Sequence, residues 1–332
     1  MPYSSGGLIV SLDYNTFAQG GAAVNHSVAN INTIWGVGSG DKGYGQSTTL
    51  ATVATTTDTV TATQWSTLIA RLNSILTHQS GAGSGISAPT AGATVTYLNT
   101  LSTNITTAFN NRLNAATNAT DVTGTAPAAT VWNTATPTTQ QIIRTATWAN
   151  ADQARYFFNA GGKLILTFSV TNTLGNSKGA DWASLLNTKL ATIVVGGYSN
   201  GRTGTGGTTT ATNTGIGYWN AGTTNNSMIT LTSASGTADY GTNSVAIGIK
   251  TNGVQGANGD VGTVLTFQID LTDSAADTNT APPGIPVYSP AGTAPTQGSF
   301  NDSLNLSIVT NITIRPPETT NLPTAISNPT IA

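Results

Sequence analysis

Residues 263–271, TVLTFQIDL, decide the fold class. Leu265, Phe267, Ile269 and Leu271 fall on one side of an extended chain. Val264, Thr266, Gln268 and Asp270 fall on the other, which is the period-two pattern of a strand with one buried face. Working outward, the spacing predicts further strands at residues 141–148, 163–171, 192–195, 216–219, 228–233, 244–250 and 304–314, separated by Gly- and Asn-rich turns. Two short helices interrupt the series. Residues 151–159 (ADQARYFFN) have Asn150 as N-cap and Gly161 beyond the last turn. Residues 180–190 place Trp182, Leu185, Leu186 and Leu190 on one face. This pattern reads as a β-sandwich or jelly-roll-like domain over residues 126–314, with short helices covering an edge or a face.

Upstream the period changes to that of helices, and residues 1–125 read as a helical N-terminal region of about three helices. A first helix is expected over residues 13–35, where Phe17, Val24, Val28, Ile31 and Trp35 share a face and Gly36 stops it. Gly20 and Gly21 weaken its first half. The second is expected from Thr61, whose spacing to Gln64 is that of a capping box. Trp65, Leu68, Ile69, Leu72, Ile75 and Leu76 form its stripe, and His78, Gln79 and Gly81 its end. A third covers residues 94–115 through Leu98, Leu101, Ile105, Phe109 and Leu113. A short strand is expected within residues 47–60, and residues 199–214 read as a long polar loop. Residues 315–332 contain four prolines and read as an extended Pro-rich C-terminal arm with little to pack on. The fold class is therefore α+β.

Composition narrows the function classes. Only 7% of residues are charged and the formal net charge is −2, against about 25% charged residues in ordinary domains. A near-neutral surface of hydroxyls and amides favours association over dispersal. Eleven Lys and Arg are spread without a stripe, so no nucleic-acid partner is expected. No apolar window reaches membrane-spanning length, so no membrane partner is expected either. The first residues lack the basic and apolar regions of a secretory signal. Cysteine is absent, which removes disulfides and thiolate metal sites.

The candidates for chemistry thin out quickly. His26 and His78 are the two histidines, on different expected helices, and Glu318 is the one glutamate. No metal ligand set and no cofactor site is expected. No G-x-S-x-G elbow occurs, and Gly36, Gly38 and Gly40 do not make a dinucleotide fingerprint. Asp273, Asp277 and Asn279, and separately Asn258 and Asp260, read as turn formers and not as a calcium loop. The chain reads as a non-enzyme. Trp35, Trp65 and Trp182 fall on apolar faces. Tyr218 and Trp219 are the candidate surface recognition pair, a platform for a host glycan or receptor.

Four segments carry a resemblance. They are Asp13-Tyr14-Asn15 with Trp35-Gly36 and Ser39 to Gln46 (SGDKGYGQ); Ala62-Thr63-Gln64-Trp65 leading to His78-Gln79-Ser80-Gly81; Tyr97 to Leu101 (YLNTL); and residues 151–162 (ADQARYFFNAGG). In this order, over residues 12–195, the chain resembles virion structural proteins of large tailed, often marine, bacteriophages. The resemblance implies a virion component with no enzymatic residues. On it, Trp35, Tyr44, Trp65, His78, Arg155, Tyr156, Phe157, Phe158 and Gly161 are structural-motif residues. The expected partners are copies of itself and other virion proteins, and the expected location is the virion, extracellular after lysis. A tail, collar or fibre-type protein is the leading reading. An adhesin, a capsid decoration protein and a self-assembling extracellular filament subunit are the alternatives.

Overall fold

The computed structural model describes residues 10–19, 29–54, 58–113, 118–124, 127–134, 138–197, 200–212, 221–233, 241–257, 259–274, 279–280, 299–300 and 303–332. Local capping chemistry sets the helices. Helix α1 is Ser11–Gln19, α2 is Ile31–Trp35, α3 is Ala62–Ser80 and α4 is Leu98–Asn110. The capping box of α3 forms as its spacing demands: Gln64 N donates to Thr61 Oγ1 and Thr61 N to Gln64 Oε1, at 3.2 and 2.8 Å. Gly81 closes α3 in the left-handed conformation at φ 78, where a Cβ would be strained. Its stripe from Trp65 to Leu76 is buried.

The single helix expected over residues 13–35 is not formed as one. Asn30 is extended (φ −148, ψ 163) and its side chain caps α2 by accepting from Thr33 N, so a helix begins anew there. The third helix is shorter than the 94–115 expected.

The strands follow as β1 (Val122–Thr123), β2 (Thr130–Thr134) and β3 (Thr139–Thr147), then helix α5 (Ala151–Asn159) and β4 (Lys163–Asn172). Helix α6 (Ser177–Ser184) continues as a π-helical turn over Leu185–Leu190. After it come β5 (Thr192–Val195), β6 (Asn200–Arg202), β7 (Thr208–Thr212), β8 (Asn226–Thr232), β9 (Ser244–Thr251) and β10 (Val264–Thr272). The last are β11 (Asn279–Thr280), β12 (Ser299–Phe300), β13 (Leu304–Arg315) and β14 (Thr330–Ile331). Part of the expected polar loop at residues 199–214 is thus strand, and the strand expected at 216–219 lies outside the described residues.

Two six-stranded antiparallel sheets result, with β11 and β12 as a separate antiparallel pair, so the molecule is α+β. In one, β13 is flanked by β4 on one edge and by β2 and β1 on the other, and β4 leads on to β5 and β6. The other runs β14-β3-β10-β9-β8-β7. Burial alternates without a break along β10 and β13, as the period-two reading requires. Arg144 of β3 reaches across to donate from Nε to the Thr310 carbonyl of β13 at 3.1 Å. One buried apolar cluster extends from Tyr14 through α3 and both sheets to Ile326.

Neutral amides fasten the segments that no sheet pairs. Asn15 clasps Val53, with Nδ2 donating to its carbonyl at 2.7 Å and Oδ1 accepting from its N–H at 2.8 Å. Asn32 treats Leu50 the same way, at 2.8 and 2.9 Å. These side chains do what a neighbouring strand would do, and no strand is assigned among the described residues of 47–60. The strand expectation there is corrected: the pairing is real but comes from side chains.

The C-terminal segment also departs from the arm expected. Residues 315–332 are laid against the same chain. Leu322 and Ile326 are buried, as are Pro316, Pro317 and Pro329. Ala332 and Thr145 exchange both backbone hydrogen bonds at 3.0 and 2.8 Å, extending the pairing of β14 with β3. The physical reason is that apolar residues recur between the prolines, and they outweigh the lack of regular structure.

Candidate functional site

Tyr44, His78, Arg155, Tyr156, Phe157, Phe158 and Gly161 meet where the end of α3, the glycine-rich loop 36–46 and α5 come together under the C-terminal segment. His78 is carried there by the last turn of α3. Its side chain is fully buried. Nε2 donates to the Ala160 carbonyl at 2.9 Å, and Nδ1 lies 3.2 Å from Glu318 Oε2. A carbonyl only accepts, so the proton of this contact is on Nε2. Both ring nitrogens are therefore engaged in holding neighbours. For Glu318, burial alone would push the carboxyl up, but hydrogen bonds from Thr320, His78 and Asn321 outweigh it and hold it below the usual carboxylate range.

The His78 ring stands edge-on to Tyr44, with centroids 5.2 Å apart. The Tyr44 hydroxyl donates to the Arg112 carbonyl at 2.9 Å and accepts from Gln79 Nε2 at 2.7 Å. Burial pushes the Tyr44 phenol far up, with smaller opposing effects from Gln79 and the Arg112 charge. The loop before it is tied to α2 through Tyr44 N to Ile34 O, Gly45 N to Gly36 O and Gln46 N to Trp35 O, at 2.9, 3.0 and 3.1 Å. From α5, Asn159 Nδ2 faces the carbonyls of Gly40, Lys42 and Gly43 at 3.0–3.1 Å. Gly45 has φ +72, and a Cβ on it would strike the ring of Tyr156. That close approach is why glycine stands there.

The remaining motif residues anchor α5. Arg155 donates from Nη1 to the Ala257 carbonyl at 2.8 Å and pairs with Asp152 at 2.7 Å. Gly40 N reaches Gly256 O at 2.5 Å, so the β9–β10 hairpin loop is fastened to both α5 and the glycine loop. Phe157 and Phe158 pack on Trp148 with centroids 5.6 and 5.5 Å away. Gly161 takes φ 93, past the end of α5, and its carbonyl accepts from Asn118.

The side chains of Trp35 and Trp65 are not part of this junction's polar network. The Arg71 guanidinium sits 4.6 Å over the Trp35 ring. Trp65 packs at the opposite end of α3, edge-on to Tyr14 at 5.7 Å. Tyr218 and Trp219 lie outside the described residues. Sequence reasoning missed Glu318, Asn159 and Gln46 as partners. Gln46 is fully buried and clasps Thr324, accepting from its N–H at 2.7 Å. The available signal was that the one glutamate and one of two histidines persist in a chain so poor in charge.

Chemically, the junction holds backbone in place. Among the described residues, no group of three or more His, Asp or Glu side chains is placed to hold a metal ion, and no helix is long and apolar enough to cross a membrane. An open groove of about 650 Å³ runs along α3 between Ala62 and Ser74, with Pro89 on its rim. Among the described residues, Arg71 is the one ionisable side chain that lines it. No family model, no curated protein and no solved structure matches the chain.

Proposed function

We propose that the protein is a non-enzymatic structural component of a bacteriophage virion, acting as a homo-oligomeric tail, collar or fibre-type protein among other virion proteins. One observation carries the reading. Parts of three of the four segments that bear the resemblance to virion proteins, within residues 39–46, 78–79 and 151–162, meet at one buried junction, where polar side chains fasten one stretch of backbone to another. His78, Gln79, Asn159 and Arg155 are all used in this way. Such groups are expected in a scaffold that must keep its shape inside an assembly.

A β-sandwich of jelly-roll-like arrangement belongs to this proposal. The reach of Arg144 from one sheet to the Thr310 carbonyl of the other supports it, as does the shared apolar cluster. The near-neutral composition supports close packing with copies of itself. The test is immunogold labelling of intact particles with an antibody to residues 130–300. Label at one defined place on tailed particles is expected. Label along free filaments, with no particle marked, would refute the virion assignment in favour of a filament subunit.

A further inference from the structure

Two of the chain's few charged side chains are buried where a chain without cysteine gains most from a cross-link. Lys178, in the first turn of α6, places Nζ 2.7 Å from Asp273 Oδ2, and the two side chains are 1% and 0% exposed. Asp273 follows the end of β10 and its N–H donates to Thr138 O at 2.9 Å. The next residue, Ser274, is held by the Asn243 side chain and the Thr242 carbonyl. The pair thus sits on rigid backbone at both ends. It joins α6, which follows a strand of one sheet, to the last residues of a strand in the other.

A third charged group lies on the same helix. Asp181 lies one turn along α6 from Lys178, on the same face, and is buried. Its Oδ1 accepts from Ser233 Oγ at 2.7 Å, and Lys189 Nζ is 3.9 Å away. Its Oδ2 has no hydrogen-bond partner among the described residues. Ser233 N donates to Asn243 O at 2.8 Å, and Asn243 Oδ1 accepts from Ser274 N, so hydrogen bonds link Asp181 to the residue next to Asp273.

We propose that Lys178 and Asp273 join through an intramolecular amide bond, with Asp181 as proton relay. Isolating two opposite charges from water is costly. Within the pair a proton passes from the ammonium to the carboxylate, leaving a neutral amine against a neutral carboxylic acid. The Nζ lone pair attacks Cγ, forming the N–C bond. Asp181 takes a proton from nitrogen and returns it to the departing hydroxyl, the C–O bond breaks, and one water leaves. Atoms balance without an oxidant or any co-reactant. Nζ and the carboxyl oxygen are held 2.7 Å apart on the same chain, so a bimolecular encounter is not needed. The product ties α6 to the residue that follows β10 and closes a loop from residue 178 to 273, in a chain that has no disulfide.

The experiment is the intact mass of the purified full-length protein under denaturing conditions, followed by peptide mapping. The expected mass is one water below that of the sequence, with a branched peptide joining Lys178 to Asp273. Lys178→Arg and Asp273→Ala each restore the full mass. Asp181→Asn, checked for native circular dichroism, is expected to leave most of the protein un-joined. A wild-type protein at full sequence mass, with Lys178 recovered as a free amine, overturns the proposal. So does a water loss that survives in Lys178→Arg, because it would arise elsewhere in the chain.

Discussion

Replacing Gln46 by Leu keeps the volume of a fully buried side chain and deletes its hydrogen bonds. Gln46 Nε2 donates to Tyr44 O at 3.0 Å and to Thr324 O at 3.3 Å, and Oε1 accepts from Thr324 N at 2.7 Å. The bond to Thr324 O, at 3.3 Å, is long and contributes least. The other two leave a carbonyl and an N–H without partners inside the fold, at about 1–3 kcal/mol each, so the expected loss is about 4 kcal/mol. An unfolding entropy of about 2.1 cal/mol/K per residue, over 332 residues, gives about 0.7 kcal/mol/K. The melting temperature should fall by about 6 °C. Thermal and urea unfolding followed by tryptophan fluorescence measure it, and limited proteolysis should show residues 315–332 cut earlier in the variant. A shift under about 1 °C with unchanged proteolysis would mean that the clasp between the glycine loop and the C-terminal segment contributes nothing, and the reasoning would fail.

Two further outcomes follow from the same junction. Because the Glu318 carboxyl is held below its ordinary range, its contribution is complete above the unfolded value of about 4.3 and is lost as pH falls through the lowered folded value. Glu318→Gln should therefore lower stability at pH 7 and close the gap to wild type in acid; an equal gap at pH 7 and about pH 3 would sink the assignment. Gly45→Ala should cost roughly 2–5 kcal/mol, combining positive φ with the collision against Tyr156. Gly85→Ala has φ +70 but nothing within 4 Å of the added methyl, and should cost only about 1–2 kcal/mol. Equal urea midpoints for the two variants would show that the Tyr156 contact is irrelevant.

Helix α3 and strand β10 were readable because their signals are local. Thr61 and Gln64 sit three residues apart, and alternation over nine residues needs no knowledge of partners. Asn150 and Gly161 bracketed α5 in the same way. The clasps were not readable, because Asn32 meets Leu50 across 18 residues, Asn15 meets Val53 across 38, and Gln46 meets Thr324 across 278. An asparagine in an Asn-rich chain carries no mark that separates a clasp from a turn. The break before α2 was hidden by an apolar face that continued across it, and only the Asn30 cap reveals it. The C-terminal segment was misjudged for a related reason. Its prolines signal extended chain, yet Leu322 and Ile326 are buried and Ser327, Glu318 and Thr324 find partners 174, 240 and 278 residues upstream, and no periodicity announces that. Of the motif residues, Tyr44, His78 and Arg155 to Phe158 lie in one junction, but the sequence alone did not say that Glu318 would close it.

Neutral amide side chains lock the glycine loop, the 47–54 segment and the C-terminal segment into one scaffold, beside the His78–Glu318 and Arg112–Asp41 pairs. Residue-resolved hydrogen exchange of the full-length protein tests it most directly. Backbone amides of Leu50, Val53, Thr324 and Ala332, each bonded within the chain, should exchange as slowly as those of β10, by global unfolding alone. Exchange of these four at the rate of unstructured peptide, with β10 still protected, would contradict the account.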